Sequence, residues 1–138
     1  MSATIDAHVF VALGHLLFIA PFLLYVGFQR SNNPMWIYTL LIALGFMILF
    51  YHGYKSFVRV AAGSPYAWVN IIHVAFIAPL LLLIGLKGRD APRYAYELLI
   101  MVGFSALGYH LYSLIRGLQV YYMDKSKKIG GGEYNPSH

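Results

Sequence analysis

HLLFIAP at residues 15–21 and HVAFIAP at residues 73–79 are one phrase written twice, 58 positions apart, each inside a run apolar enough to enter a membrane. The likeness extends outward without a gap. A shift of 58 lays residues 11–54 on residues 69–112 with 20 identities in 44 positions. His15, Pro21 and Gly27 fall on His73, Pro79 and Gly85, and Pro34, Tyr38, Gly45, Tyr51, His52 and Tyr54 fall on Pro92, Tyr96, Gly103, Tyr109, His110 and Tyr112. Matches among Leu and Ile carry little weight between any two apolar helices. The paired His, Pro, Gly and Tyr carry it, and they read as a tandem duplication in the same direction.

Composition sets the class. Hydrophobic residues make up 59% of the 138-residue chain and charged residues 11%, with a mean hydropathy of +0.62, against roughly 25% charged residues in ordinary soluble domains. Four segments reach the length of about 20 apolar residues that a span needs: residues 7–28, 35–54, 66–86 and 94–116. The fold expected is therefore all-α, with four transmembrane helices as two parallel-repeat hairpins, residues 7–60 and 65–118, packed as a pseudo-two-fold four-helix bundle. This single transmembrane domain covers residues 1–122, and residues 123–138, with Gly130, Gly131 and Gly132, read as a flexible basic tail.

Punctuation between the spans agrees with this division. Pro34 and Pro92 stand at the starts of the second and fourth helices, where a missing N–H does no harm. Gly63, Ser64 and Pro65 mark the connection between the two copies. Asp6 precedes the first apolar run with no Lys or Arg before it, so a cleavable leader is not expected. Lys55, Arg59, Arg116, Lys125, Lys127 and Lys128 fall on the face of the termini and Arg30, Lys87, Arg89 and Arg93 on the other, six against four, which places both termini on the cytoplasmic side. The net charge of +5 then serves topology and headgroup contact. The lipid bilayer is the partner expected, with a second copy or a membrane-complex subunit as further candidates, and nucleic acid is not expected.

The chain has no cysteine, which removes disulfides, thiolate ligands and Cys nucleophiles. Ser105 and Ser113 have no Asp partner within a span, no His-Glu-x-x-His pattern is present, and the three tail glycines lack the Lys of a phosphate loop, so an enzyme is not expected. What remains is His, Tyr, Glu and backbone. His15 and His73 lie early in ascending helices and His52 and His110 late in descending ones, which places all four in the leaflet of the termini, between roughly 4 and 10 Å from the midplane. They are expected to form one layer.

Tyr38, Gly45 and His52, and likewise Tyr96, Gly103 and His110, recur every seven residues and so share one stripe of a helix. Glycine on that stripe admits a neighbouring helix or a flat ligand. Pro21 and Pro79 follow their histidines by six residues and release the carbonyls of Leu17 and Ala75.

Three functions compete for these residues. Ionisable side chains inside a membrane are costly and commonly mark a function. The preferred one is binding or transfer of a transition metal or a b-type haem, with His15, His52, His73 and His110 as ligands and Gly45, Gly103, Tyr38 and Tyr96 beside the cofactor, because neutral imidazole ligates Zn, Cu and Fe and bundle cores build such sites. Its pairs would be His15 with His73 and His52 with His110, and the attachment motif Cys-x-x-Cys-His is absent. The second function is a proton- or ion-conducting bundle in which His, Tyr and water relay protons. The third is a structural membrane or assembly subunit in which these side chains join helices at roughly 0.6 to 2 kcal/mol per contact. Glu97 reads as an interfacial carboxylate paired with Arg93, four residues earlier. Tyr51 and Tyr109 point about 100° away from the histidines that follow them.

Overall fold

A computed structural model describes residues 7–130. Among these residues four helices are long and apolar enough to cross a membrane: Val9–Asn32, Met35–Ala61, Ala67–Asp90 and Arg93–Lys127. The first comprises α1 (Ala7–Gly14), a π-helical turn (His15–Ile19), α2 (Ala20–Gln29) and a 3₁₀ turn (Arg30–Asn32). The second is α3 (Met35–Ala61), unbroken. The third repeats the make-up of the first: α4 (Ala67–Ile72), a π turn (His73–Ile77), α5 (Ala78–Lys87) and a 3₁₀ turn (Gly88–Asp90). The fourth is α6 (Arg93–Gly130). No strand occurs among the described residues.

Two boundaries differ from those expected. Helix α3 runs to Ala61, past the expected end at Tyr54, because nothing in KSFVRVA opposes a helix. Its end is set by Gly63 at φ 63°: Ser64 N–H donates to Arg59 O at 2.9 Å and Gly63 N–H to Val60 O at 3.0 Å, the paired bonds of a Schellman cap. Helix α6 continues to Gly130, so residues 123–130 of the expected tail are helical, and residues 131–138 lie outside the described residues. At 38 residues α6 is about 57 Å long, well beyond a hydrocarbon core of about 30 Å. Large apolar side chains such as Phe10, Phe18, Phe28, Phe50, Phe57 and Phe104 are exposed on these helices, as contact with lipid requires.

The described residues divide into two compact units, residues 22–103 and residues 7–21 with 104–130. Within residues 22–103 the aliphatic side chains of Leu23, Val26, Ile37, Leu41, Leu81, Ile84 and Leu99 are buried, together with Tyr38, Tyr96, Asn33 and Asn70. Glycine lets the backbones close there. A Cβ on Gly85 would lie 2.7 Å from Ile42 Cγ1, 2.9 Å from Tyr38 O and 3.0 Å from Ile42 N, which brings α5 against α3. One on Gly27 would meet Ile100 Cγ1 at 2.5 Å, Tyr96 O at 3.2 Å and Ile100 N at 3.3 Å, which brings α2 against α6. These two contact sets differ by 58 at every position.

The turns at the far ends of these helices are tied by their own polar groups. Arg30 (φ 52°) and Gly88 (φ 57°) both take positive φ. Tyr96 Oη donates to Gly88 O at 3.1 Å, and Tyr38 Oη reaches Ser31 O at 3.3 Å and Arg30 O at 3.5 Å. The two phenol oxygens lie 3.5 Å apart. Asn33, fully buried, donates from Nδ2 to Val26 O at 2.9 Å and to Arg30 O at 2.6 Å, which occupies carbonyls at the end of the first helix. Arg93 Nε donates to Glu97 Oε1 at 2.7 Å, the pair expected, and both side chains are exposed.

Candidate functional site: two stacked histidine pairs

A π turn begins at each histidine of the repeated phrase, and proline accounts for its place. Pro21 has no N–H and its ring collides with the carbonyl four residues back in an α-helix. One wider turn ahead of it relieves the collision: Ala20 N–H bonds to His15 O, five residues back, and Ala78 N–H bonds to His73 O in the same way. That extra residue also re-aims the histidine. Five residues of α-helix turn through about 500°, which would leave His15 about 140° away from Ala20. In a π turn residues five apart come close to one line, so His15 and His73 are swung toward the side of Ala20 and Ala78, both fully buried.

The same geometry fixes the tautomer. His15 Nδ1 lies 2.8 Å from Val11 O and His73 Nδ1 lies 2.6 Å from Val69 O. A carbonyl only accepts, so Nδ1 carries a proton in both rings. His52 Nδ1 lies 3.0 Å from the amide oxygen of Asn70, which sets the same tautomer there. Asn70 is 4% exposed, and the sequence reading passed over it. Its signal was present: it is the one amide within residues 66–86, an otherwise apolar span.

The structure brings the histidines together in twos. In one unit His15 stacks on His110, with ring centroids 4.1 Å apart and planes 24° apart. In the other His52 stacks on His73, at 4.1 Å and 11°. Each stack joins an ascending-helix histidine to a descending-helix one. Tyr51 and Tyr109 set their ring edges against His52 and His110, each at 5.1 Å, so they frame the stacks from the side.

Gly45 and Gly103 serve helix contact. A Cβ on Gly45 would lie 2.7 Å from Leu82 Cγ, and one on Gly103 would lie 2.8 Å from Leu24 Cγ, so the room these glycines leave is held by leucines. Tyr38 and Tyr96 spend their hydroxyls on each other and on the turn carbonyls, about 21 Å along the helix from the histidine on their stripe.

Two chemical consequences follow from the stacks. A haem between two axial imidazoles needs both Nε2 atoms aimed at one iron from opposite faces of the porphyrin. Rings stacked face to face at 4.1 Å leave no room for that plane, so neither pair frames a haem. Among the described residues no three or more His, Cys, Asp or Glu side chains are grouped to hold a metal ion. No protein-family model, no curated protein and no solved structure matches this chain.

Proposed function

We propose that this chain is an integral membrane protein of two duplicated helical hairpins, with both termini on the cytoplasmic side, that binds one proton at each of two intramembrane histidine pairs. The observation that carries the proposal is the stacking of each imidazole on a second one at 4.1 Å. Neutral imidazole with Nδ1–H committed to a fixed acceptor presents a basic Nε2, and histidine is the side chain that changes charge in the physiological range. Two imidazolium rings at the stacking distance repel by about 4 kcal/mol at an effective dielectric constant of about 20. A second charge on either pair meets that repulsion, and the stoichiometry proposed is therefore one proton per pair.

Support for the duplication comes from correspondences at a constant shift of 58. It exchanges the two stacks, since His15 maps to His73 and His110 to His52. It also carries the contacts of Gly27 onto those of Gly85, and Arg30 at positive φ onto Gly88. Tyr38 and Tyr96 map onto each other and touch, as residues on a pseudo-two-fold axis do. Such an axis along the membrane normal gives a parallel repeat.

Proton binding is favoured over conduction across the bilayer by what lies along α3. Between the level of His52 and that of Tyr38, about 21 Å away, the buried residues of that helix are Leu41 and Gly45. An aliphatic core of this kind offers no relay. Metal binding stands as a second reading on one observation, the commitment of Nδ1–H to a carbonyl at His15 and His73, which is how metal-bound imidazoles are oriented.

The test is ¹⁵N-histidine NMR of the full chain in liposomes as the pH is lowered, with each stacked histidine assigned by replacement with Phe. The charged imidazoles should accumulate to one per pair before any second one appears, and losing either partner should abolish the plateau. Independent charging of all four rings at one pH would refute the proposal. Elemental analysis and a visible spectrum of the same preparation decide the metal reading.

A further inference from the structure

The two pairs differ in what surrounds them. Asn70 stands beside His52 with its Oδ1 on the imidazole, while its Nδ2 is buried with no partner among the described residues. One turn along α3 from His52, on the same stripe, Ser56 Oγ is also buried without a partner among the described residues. At the equivalent places beside the other pair, 58 positions away, stand Ala12, which is buried, and Leu114. One pair has polar neighbours at those two places and the other has hydrocarbon.

We infer that the His52–His73 pair is a hydrated site, with internal water held by Asn70 and Ser56, and that the His15–His110 pair is dry. A buried donor or acceptor with no partner costs about 1–3 kcal/mol. Immobilising a water costs at most about 2 kcal/mol, so a water that satisfies two such groups is favourable. The site offers the polar contacts that an internal water needs: the Asn70 amide donor, the Ser56 hydroxyl and the imidazoles. Ser56 also lies on the outward side of His52. The stripe continues from His52 through Ser56 to Arg59, whose Nη1 donates to Tyr66 O at 3.4 Å near the end of α3. The titratable groups at the pair are the two imidazoles and Tyr51, whose ring edge meets His52, with Lys55 and Arg59 on the turns beyond.

Hydration rests on Asn70 and Ser56 whether or not the imidazoles take up protons. The proton-binding reading adds that this water is the route by which the pair exchanges with the aqueous phase. In that case one of two duplicated sites opens to solvent and its counterpart is reached more slowly.

Proton-detected solid-state NMR of the ¹⁵N-histidine-labelled full chain in liposomes measures magnetisation transfer from water to each imidazole at a single pH. His52 and His73 should receive several-fold more than His15 and His110. Ser56→Ala should reduce that transfer, and Asn70→Ala, which installs the residue the other copy carries, should reduce it to the level of the dry pair. Ala12→Asn should raise transfer at His110. Equal transfer at all four rings, or transfer unchanged by both Ser56→Ala and Asn70→Ala, would overturn the inference. The ¹⁵N shifts in the same spectra count charged rings separately, so a failure of the proton-binding reading is distinguishable from a failure of hydration.

Discussion

Alanine at Gly85 should destabilise the protein, whereas alanine at Gly53 should stabilise it. Both glycines lie inside helices of residues 22–103, and alanine improves an interior helix position over glycine by up to about 1 kcal/mol. At Gly53 nothing lies within 4 Å of the new Cβ, so the gain is kept. At Gly85 the Cβ arrives 2.7 Å from Ile42 Cγ1, 2.9 Å from Tyr38 O and 3.0 Å from Ile42 N. Rotation of Ile42 relieves the first contact only. The other two are backbone atoms of α3, so α3 and α5 must separate, and overpacking that moves backbone costs about 1–3 kcal/mol. The net result is a loss of up to about 2 kcal/mol at Gly85, opposite in sign to Gly53. Gly27→Ala should lose less, since its backbone contacts are 3.2 and 3.3 Å. The assay is reversible unfolding in mixed micelles of mild detergent and dodecyl sulfate, followed by the fluorescence of Trp36 and Trp68. Equal stability of Gly85→Ala and Gly53→Ala would refute the close approach of α3 and α5.

Four further outcomes are expected. Arg30 holds a positive φ that the other turn assigns to glycine, so Arg30→Gly should stabilise by roughly 0.5–1 kcal/mol, and Gly88→Ala should destabilise by about 1–3 kcal/mol through backbone strain alone, read in the same unfolding assay. Tyr96→Phe removes the donor to Gly88 O while Tyr38 keeps its own carbonyl partners, so a loss of about 0.5–1.5 kcal/mol is expected, and an unchanged midpoint would show that the hydroxyl bond adds nothing. Since the chain has no cysteine, single cysteines at Asn32 and at Ser126 can be labelled in sealed vesicles; they should react from opposite faces, and reaction from one face would break the parallel-repeat topology.

The repeated phrase made the spans legible because hydrophobic length is a local property, and the four helices fall where the apolar runs lie. Pro34, Pro92 and the Gly63 turn were equally readable, since capping depends on neighbours within a few residues. The histidines stood out as polar groups in hydrocarbon. Which ring each would meet was not legible, because a spacing of 58 relates equivalent positions and says nothing about contact between non-equivalent ones. The π turns were half legible: a proline six residues after each histidine announces a disturbed helix, but an unpaired carbonyl and a wider turn are alternative remedies, and only packing selects between them.

By itself the sequence determined an all-helical chain with four apolar helices, a phrase used twice and four histidines in the spans, because these depend on composition, period and self-similarity. Tertiary structure decided the rest. It turned His15 and His73 by one extra residue toward the buried side of their helices, stacked them on His110 and His52, filled the glycine stripes with Leu82 and Leu24, and set Asn70 beside one pair only. Those outcomes turn on distances of a few ångströms between segments far apart in sequence, and such distances are fixed by the simultaneous packing of helices, which no single stretch of residues encodes.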